Sequence, residues 1–398
     1  MTKQIQDAYI VASTRTAVGK APRGAYRSTR PDTLLAHVLQ RALAQVPAIE
    51  AKRVDDVIVG CAMPEYEQGM NVARIGLLLA GLPDSVAGMT INRFCSSGLN
   101  AVSIAADRIR TGEADIMIAA GTESMSMIPM LGRLAMNEAV FARGENVGIA
   151  YGMGITAENV AAQWNISRQE QDAFALASHQ KALAAQAGGE FDDEINAITV
   201  HENLPDLAAE TIVTRSREIT RDEGPRADTS VEGLAKLRPV FAAKGSVTAG
   251  NSSQMSDGAG ASILVSERVL KELNLAPLAR WVGFAVGGVP PEIMGVGPIA
   301  AIPKVLKSTG LAQDQIDWIE LNEAFAAQAL AVIKELGIDP AKVNPLGGAI
   351  ALGHPLGATG AIRTATITHG LKRRKQKYGM VTMCVGTGMG AAGIFESI

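Results

Sequence analysis

Two cysteines, a histidine and an asparagine occupy positions in this sequence where side chains could do chemistry. Cys95, in "INRFCSSGLNA", lies where an extended run gives way to a helical pattern. Unpaired N–H groups and the dipole at a helix start stabilise a thiolate, so we predict a lowered pKa for Cys95, which would suit a nucleophile. Taken alone, however, Cys95 fits a small buried packing residue better.

His354 lies in the glycine-rich run "GGAIALGHPLGATGA", between Gly353 and Pro355. That context excludes regular helix or strand at the histidine and lets a ligand approach closely. An imidazole there can act as a base toward a thiol or as a hydrogen-bond donor toward an oxyanion. Taken alone, His354 is equally consistent with a structural role.

Cys384 ends an apolar run and enters "MCVGTGMG", where glycines alternate. The spacing fits neither a P-loop nor a dinucleotide fingerprint, but alternate glycines let backbone N–H groups point into a site, as an oxyanion requires. Asn322, in "LNEAFAAQA", follows another predicted strand. Helix capping is the alternative role for Asn322.

The elements that carry these residues form a faint internal duplication. "VDDVIVG" and "IDWIELN" each predict a strand, and Cys95 and His354 are each followed by an Ala-rich helix and a strand that runs into Gly-Thr. Sites in open α/β sheets lie beyond the carboxyl ends of strands. The duplication therefore predicts that Cys95, His354, Asn322 and Cys384 converge on one cleft.

The predicted halves are residues 1–274 and 275–398, and the first contains an extra segment at about 124–249. Within that segment, Ser167 and Glu170 form a capping box before a long helical pattern that ends near Gly188. Because it has no counterpart in the second half, we interpret it as an inserted loop domain that folds over the core.

The composition limits the partners, the cellular compartment and the kinds of site that we expect. The 398 residues carry 37 Lys and Arg against 40 Asp and Glu, with no long charged block, so we expect no nucleic-acid partner. Three cysteines argue against a disulfide framework and favour a reducing, cytoplasmic setting. No secretory segment is expected. Prolines and glycines interrupt the longest weakly charged stretch, which argues against a membrane span. The histidines are scattered along the sequence and suggest no metal site.

The sequence resembles the thiolase family over nearly its whole length, and within it most resembles the degradative 3-ketoacyl-CoA thiolases. The motifs are "VASTRTAVG", "GITAENVA", "AKLRPVF", "VTAGNSSQMSDGA", "NEAFA", "GGAIALGHPLGATGA" and "CVGTGMGAAGIFE". The resemblance implies an α/β fold of the thiolase type, a duplicated α-β-α-β-α arrangement of five layers with an inserted loop domain. It also implies thiolytic cleavage of 3-ketoacyl-CoA by ping-pong kinetics, as in fatty-acid β-oxidation.

The resemblance also implies roles. Cys95 would attack the 3-keto carbon and hold the shortened acyl chain, and His354 would activate Cys95 and bind the thioester oxygen of the acetyl unit. Asn322 would hold a water that completes this first oxyanion hole. The backbone N–H groups of Cys95 and Gly386 would form a second hole, and Cys384 would be the acid and base.

Coenzyme A is implied as a co-substrate, with no tightly bound cofactor, and the chain is expected to form a homodimer or homotetramer. Ser253 is implied as a pantetheine contact, Arg226 as a neighbour of the adenine end, and Met153 and Phe325 as channel residues. A helix cap for Ser253 and a surface charge for Arg226 are the alternatives. Biosynthetic acetoacetyl-CoA thiolases typically carry histidine where this sequence has Gly152, which favours a longer acyl pocket here.

Two other functions stay open at this point. The first is an acetoacetyl-CoA thiolase working in the condensation direction, since the same residues catalyse both directions. The second, from another class, is a non-catalytic thiolase-like protein that binds acyl-CoA or lipid; the presence of Cys95, Asn322, His354 and Cys384 argues against it.

Overall fold

A computed structural model of the protein describes residues 5–130 and 136–398, so residues 131–135 of the predicted insertion lie outside it. The described strands are β1 (Ala8–Arg15), β2 (Gly19–Lys20), β3 (Asp56–Gly60), β4 (Ala87–Ile91), β5 (Ile116–Ser124), β6 (Ile198–Asp206), β7 (Thr211–Ile219), β8 (Ser256–Ser266), β9 (Ala279–Gly288), β10 (Trp318–Leu321), β11 (Tyr378–Val385) and β12 (Met389–Ser397). The described α-helices are α1 (Pro31–Gln45), α2 (Val72–Leu79), α3 (Ser97–Arg110), α4 (Met153–Gln163), α5 (Arg168–Ala187), α6 (Val231–Ala235), α7 (Glu267–Glu272), α8 (Gly297–Thr309), α9 (Ala326–Leu336), α10 (Ala349–Leu352) and α11 (Leu356–Arg374).

The main sheet contains the same strand arrangement twice. The order is β4-β3-β5-β8-β1 in the first half and β10-β11-β12-β9 in the second. In each half a parallel pair, β3 with β5 or β10 with β11, is followed by an antiparallel neighbour, β8 or β12. The halves join where β1 pairs with β9, at Tyr9 with Arg280 and Ile10 with Ala279. The β6–β7 hairpin forms a separate small sheet.

Strand alternation explains the layers, because successive side chains of a strand point to opposite faces. On β3, Val57 and Val59 pack with α1 and α2, whereas Ile58 packs with α3. On β11, Met380 packs with α8 and α9, whereas Val381 packs on the side of α3 and α11. Helices α3 and α11 contact each other and strands of both halves, so they form the middle of five layers. The predicted fold class is confirmed.

The two central helices approach so closely that glycine is required where they cross. A Cβ atom on Gly98 would lie 2.6 Å from the backbone N of Ala361, and one on Gly360 would overlap the backbone of Leu99. A buried contact this tight tolerates no added methyl group without backbone movement. It fixes the start of α3, next to Cys95, against the first turns of α11, next to His354.

Several local predictions are confirmed and one is refined. Helix α5 begins with the Ser167–Glu170 capping box, and strands occupy both "VDDVIVG" and "IDWIELN". Strand β11 extends to Val385, so Cys384 lies inside this strand, one residue before its end. The glycines that follow belong to the short connection to β12 and to the start of that strand. Among the described residues, no helix is both long and apolar enough to cross a membrane.

Candidate active site

Cys95 lies in a single 3₁₀ turn, Phe94–Ser96, directly before α3. Phe94 has a positive φ of 43°, and its backbone N–H donates to Asn92 Oδ1 at 2.7 Å. A non-glycine residue with this backbone conformation is strained and is retained where the surroundings fix it. The turn connects the segment after β4 to α3, and Cys95 within it is only 2% exposed.

The predicted lowered pKa of Cys95 is wrong. Burial raises the pKa of the thiol to about 12, and the charge of Glu123 acts in the same direction. The backbone N–H groups of Gly386 and of Cys95 itself point at the sulfur and oppose this rise, but desolvation dominates. Cys95 is therefore a neutral thiol at rest, and a base must take its proton during attack.

His354 is held in one tautomer by a chain of hydrogen bonds. Thr359 Oγ1 donates to the carbonyl of Pro355 at 3.0 Å, so it accepts from His354 Nδ1 at 2.6 Å. The Nε2 lone pair is left to accept from Asn322 Nδ2 at 3.3 Å. Burial, with help from Arg363, lowers the pKa of His354 to about 3, so the imidazole is neutral and Nε2 carries no proton; Nε2 can act as a base once it exchanges the hydrogen bond from Asn322 for the thiol proton.

Because this imidazole is buried in its neutral form, we predict that acid destabilises the protein through it. The unfolded chain binds the proton near pH 6.5 and the folded chain near 3, so the stabilisation is complete above pH 6.5 and is lost as the pH falls toward 3. Urea unfolding at pH 7 and pH 5 should show wild type losing about 2 kcal/mol more than His354→Asn. Equal losses in both proteins would contradict the buried neutral state.

Asn322 connects the histidine to the second cysteine. Its backbone N–H donates to the carbonyl of Thr382 at 2.9 Å, which places it beside β11 two residues before Cys384. Asn322 Oδ1 is buried and has no hydrogen-bond partner among the described residues. A buried oxygen without a partner can accept a hydrogen bond from a polar ligand atom or from a water.

Cys384 is fully buried, and burial raises the pKa of its thiol well above the ordinary value. The strand β11, which carries Cys384, contacts the turn that carries Cys95, and the charge of a Cys95 thiolate would raise the pKa of Cys384 further. Gly386 follows Cys384 by two residues and points its N–H at Cys95. Two neutral thiols, one neutral imidazole and a directed N–H group can form a thioester and transfer protons without changing the net charge of the buried site.

Three of the predicted coenzyme contacts lie beside these groups. Phe325 and Cys384 belong to one buried cluster, and Met153, at the start of α4, packs against it. The backbone N–H of Ser253 donates to the carbonyl of Ala324 at 2.9 Å, so Ser253 is next to Phe325. An apolar surface lined by Met153 and Phe325 with a hydroxyl beside it suits an acyl chain and a pantetheine arm.

Arg226 lies further out than the other predicted residues. Its guanidinium is mostly exposed and pairs with Asp228 at 3.2 Å, while its backbone N–H donates to His179 Nδ1. The loop of Arg226 is tied to the site through Gln254 Nε2, which donates to the carbonyls of Gly224 and Ala351 at 3.1 and 3.2 Å. The surface-charge alternative fits the side chain as it stands.

Sequence reasoning missed two residues that organise the site. Thr359 sets the tautomer of His354. Glu123, near the end of β5, accepts from the backbone N–H of Gly357, which packs against the start of α3. A buried carboxylate ending the apolar run "IMIAAGTES" was an available signal for Glu123. Thr359 carried none, since threonine one turn into a helix is ordinary.

A cavity of about 370 Å³ lies elsewhere, between the loop at residues 23–29 and the β6–β7 hairpin. Its lining is rich in arginine, including Arg23, Arg27, Arg215 and Arg217. None of the predicted site residues lines this cavity, so it is separate from the candidate active site.

Comparison with protein-family models shows which family the chain belongs to. Residues 8–268 match the family model described as thiolase, N-terminal domain, and residues 275–397 match thiolase, C-terminal domain. The chain belongs to the thiolase family. The resemblance predicted from the motifs is thereby confirmed.

Curated thiolases align with this thiolase over almost its full length. The 3-ketoacyl-CoA thiolase of Bacillus subtilis is 48% identical over 394 residues, covering 98% of this chain and 100% of that protein. The peroxisomal 3-ketoacyl-CoA thiolase of Homo sapiens is 46% identical over 393 residues, covering 98% of this chain and 91% of that protein.

Solved thiolase structures share the fold. The dimeric peroxisomal thiolase of Saccharomyces cerevisiae has a TM-score of 0.89 and 44% identity, with 99% of this chain and 98% of that chain covered. The Bacillus anthracis acetyl-CoA acetyltransferase has a TM-score of 0.90 and 41% identity, with both chains fully covered at 100%.

Proposed function

We propose that this thiolase cleaves 3-ketoacyl-CoA with coenzyme A, giving acetyl-CoA and an acyl-CoA shortened by two carbons, as in fatty-acid β-oxidation. The observation that carries the proposal is the buried arrangement around Cys95, with the N–H of Gly386 aimed at its sulfur and Cys384 next to it. The names of the Bacillus subtilis and human relatives support the choice of substrate.

The first half-reaction begins when Nε2 of His354 takes the proton of Cys95. The sulfur attacks the 3-keto carbon, whose oxygen gains negative charge and accepts from the backbone N–H groups of Cys95 and Gly386. The bond between C2 and C3 then breaks, and Cys384 gives its proton to the departing acetyl-CoA enolate. Asn322 and His354 stabilise the thioester oxygen of that unit, and a shortened acyl group remains on Cys95.

The second half-reaction reverses these proton movements. The Cys384 thiolate takes the proton of incoming coenzyme A, whose sulfur attacks the acyl carbonyl on Cys95. Cys95 leaves and recovers its proton from the His354 imidazolium. Thiol and thioester exchange at similar free energy, so the acyl-enzyme neither traps the reaction nor blocks it, and ping-pong kinetics follow.

Coenzyme A is a co-substrate in this scheme and no tightly bound cofactor takes part. Ser253 would contact the pantetheine arm, Met153 and Phe325 would line the channel, and Arg226 would face the adenine end. Freeing the Arg226 guanidinium from Asp228 requires only the loss of an exposed ion pair, which is worth little in water.

The proposal is tested by following the loss of 3-ketoacyl-CoA absorbance when coenzyme A is added. Acetoacetyl-CoA and 3-ketooctanoyl-CoA are compared side by side at equal concentration. We expect higher kcat/KM with the longer substrate. Cleavage of acetoacetyl-CoA alone would replace the proposal by the short-chain alternative, and no cleavage of either would favour a non-catalytic binding protein.

The alternative function is an acetyl-CoA acetyltransferase acting in the condensation direction. It is favoured by the close structural match to the Bacillus anthracis acetyl-CoA acetyltransferase. The residue that separates the two proposals is Gly152, the N-cap of α4 immediately before Met153.

We predict that Gly152→His shifts the preference toward short acyl chains. Apart from its own chain neighbours, no atom of the described residues would lie within 4 Å of a Cβ atom on Gly152, so a side chain fits there without disturbing the described backbone. The imidazole would extend beside the Met153 channel and shorten it. Steady-state kinetics should show kcat/KM for 3-ketooctanoyl-CoA falling about tenfold, with acetoacetyl-CoA changing less than about threefold. Gly152→Ala is the matched control, and equal losses for both substrates would contradict the prediction.

The assembly, location and domain division belong to the same proposal. A homo-oligomer is supported by the dimeric Saccharomyces cerevisiae relative, and a cytoplasmic location by the free state of Cys61, Cys95 and Cys384. We retain the division into residues 1–274, with an insertion at about 124–249, and residues 275–398. The positions of the two matched family domains support it.

A further inference from the structure

Glu123 is a buried carboxylate that joins the two halves of the protein under the catalytic centre. It is 1% exposed and lies near the carboxyl end of β5. Its Oε2 accepts from the backbone N–H groups of Ala62 and Gly357, both at 2.7 Å. Its Oε1 accepts from Gln68 Nε2 at 2.7 Å and from the backbone N–H of Met63 at 3.3 Å.

The surroundings of Glu123 require the ionised form. Each of these four partners is a hydrogen-bond donor, and the thiol of Cys61 lies 3.9 Å from Oε1 as a fifth. A protonated carboxyl would direct an O–H group at an N–H group. Burial raises the pKa of Glu123, and the hydrogen bonds from Ala62, Gly357, Gln68 and Met63 lower it.

The contacts of Glu123 span the parts that hold the reacting groups. Ala62 and Met63 follow β3 in the first half, whereas Gly357 is in the first turn of α11 in the second half, three residues after His354. A Cβ atom on Gly357 would lie 2.7 Å from Glu123 Oε2, so the carboxylate touches the helix backbone directly. An anion at a helix N-terminus also stabilises the helix dipole.

We propose that Glu123 is an anionic positioning residue that fixes His354 relative to Cys95. The inference rests on the nucleophilic role proposed for Cys95. Glu123 acts through the N–H of Gly357, and it does not touch the reacting atoms.

Glu123→Gln separates positioning from simple stabilisation. The amide has one acceptor oxygen and one NH₂ group, so in either orientation it places donors against two of the four N–H donors. We expect kcat for thiolysis to fall at least about tenfold because His354 loses its fixed position. Because Glu123 does not touch the substrate, KM for 3-ketooctanoyl-CoA should stay within about threefold of wild type.

A loss confined to kcat distinguishes positioning of the reacting groups from damage to the substrate channel, which would raise KM as well. Glu123→Asp keeps the charge but shortens the reach, so kcat should fall at least about threefold, with KM again nearly unchanged. Glu194→Gln, at a buried carboxylate bound to Arg15, controls for general destabilisation and should keep kcat within about twofold of wild type.

The inference is overturned if folded Glu123→Gln keeps wild-type kcat, or if its kcat/KM falls through a rise in KM alone. Should the glutamine variant fail to fold, the aspartate variant decides, because wild-type kcat there would exclude positioning. Loss of turnover in Cys95→Ser with no effect of either Glu123 variant would reject this inference while leaving the proposed function intact.

Discussion

Cys95→Ser lowers kcat for thiolysis by about a thousandfold or more, the largest effect expected at any position in this protein. A serine hydroxyl is far harder to deprotonate than a thiol, and His354, whose pKa is about 3, is a weak base. Serine would also form an oxygen ester, which does not exchange with coenzyme A at similar free energy. Both half-reactions therefore suffer.

The variant is expected to stay folded, because one buried sulfur is replaced by a smaller oxygen in a site that already holds polar N–H groups. Its free energy of unfolding should lie within about 2 kcal/mol of wild type. Ser103→Ala, on the same helix α3 and also buried, is the matched control and should keep kcat within about twofold. Turnover at the wild-type rate in Cys95→Ser, or in Cys95→Ala, would exclude Cys95 as the nucleophile.

Cys384→Ala has the second largest expected effect, and the effect depends on the reaction that is measured. Carbon–carbon cleavage needs an acid to protonate the acetyl-CoA enolate, and Cys384 is the buried thiol next to Cys95. We expect cleavage of 3-ketooctanoyl-CoA to fall about a thousandfold. Exchange of labelled coenzyme A into acyl-CoA should fall only about tenfold, because coenzyme A ionises partly on its own as the pH rises.

The exchange reaction also distinguishes chemistry from damage to the fold. Raising the pH from 7 to 9 should restore exchange in Cys384→Ala and leave cleavage low. Met383→Leu, the adjacent residue on the opposite face of β11, nearly conserves volume and should keep both activities within about threefold. Equal loss of cleavage and exchange in Cys384→Ala would contradict the acid role.

The helices and strands were predictable from the sequence because capping and periodicity are local features. The capping box at Ser167 and the paired strand–helix patterns after Cys95 and His354 depend on residues a few positions apart. The duplication predicted that the two halves are built alike, but the order of strands within each half came from the structure. These are the levels at which periodicity and capping determine structure.

The electrostatics of the site were not predictable in the same way. A helix start argues for a lowered thiol pKa, but the packing of α3 against α11 desolvates Cys95 and reverses the result. Depth of burial depends on tertiary contacts that no local pattern specifies. The contact between Glu123 and Gly357 joins residues separated by 234 positions, and the tautomer of His354 depends on one hydroxyl of Thr359.

The measurement that tests the central claim most directly is mass spectrometry of the acyl-enzyme. The protein is mixed with 3-ketooctanoyl-CoA without added coenzyme A, quenched in acid and digested, and the peptides that contain Cys61, Cys95 and Cys384 are compared. We predict a six-carbon acyl group on Cys95, with acetyl-CoA released in equal amount, and its disappearance when coenzyme A is added before the quench. An unmodified Cys95, or an acyl group on Cys384 instead, would contradict the mechanism.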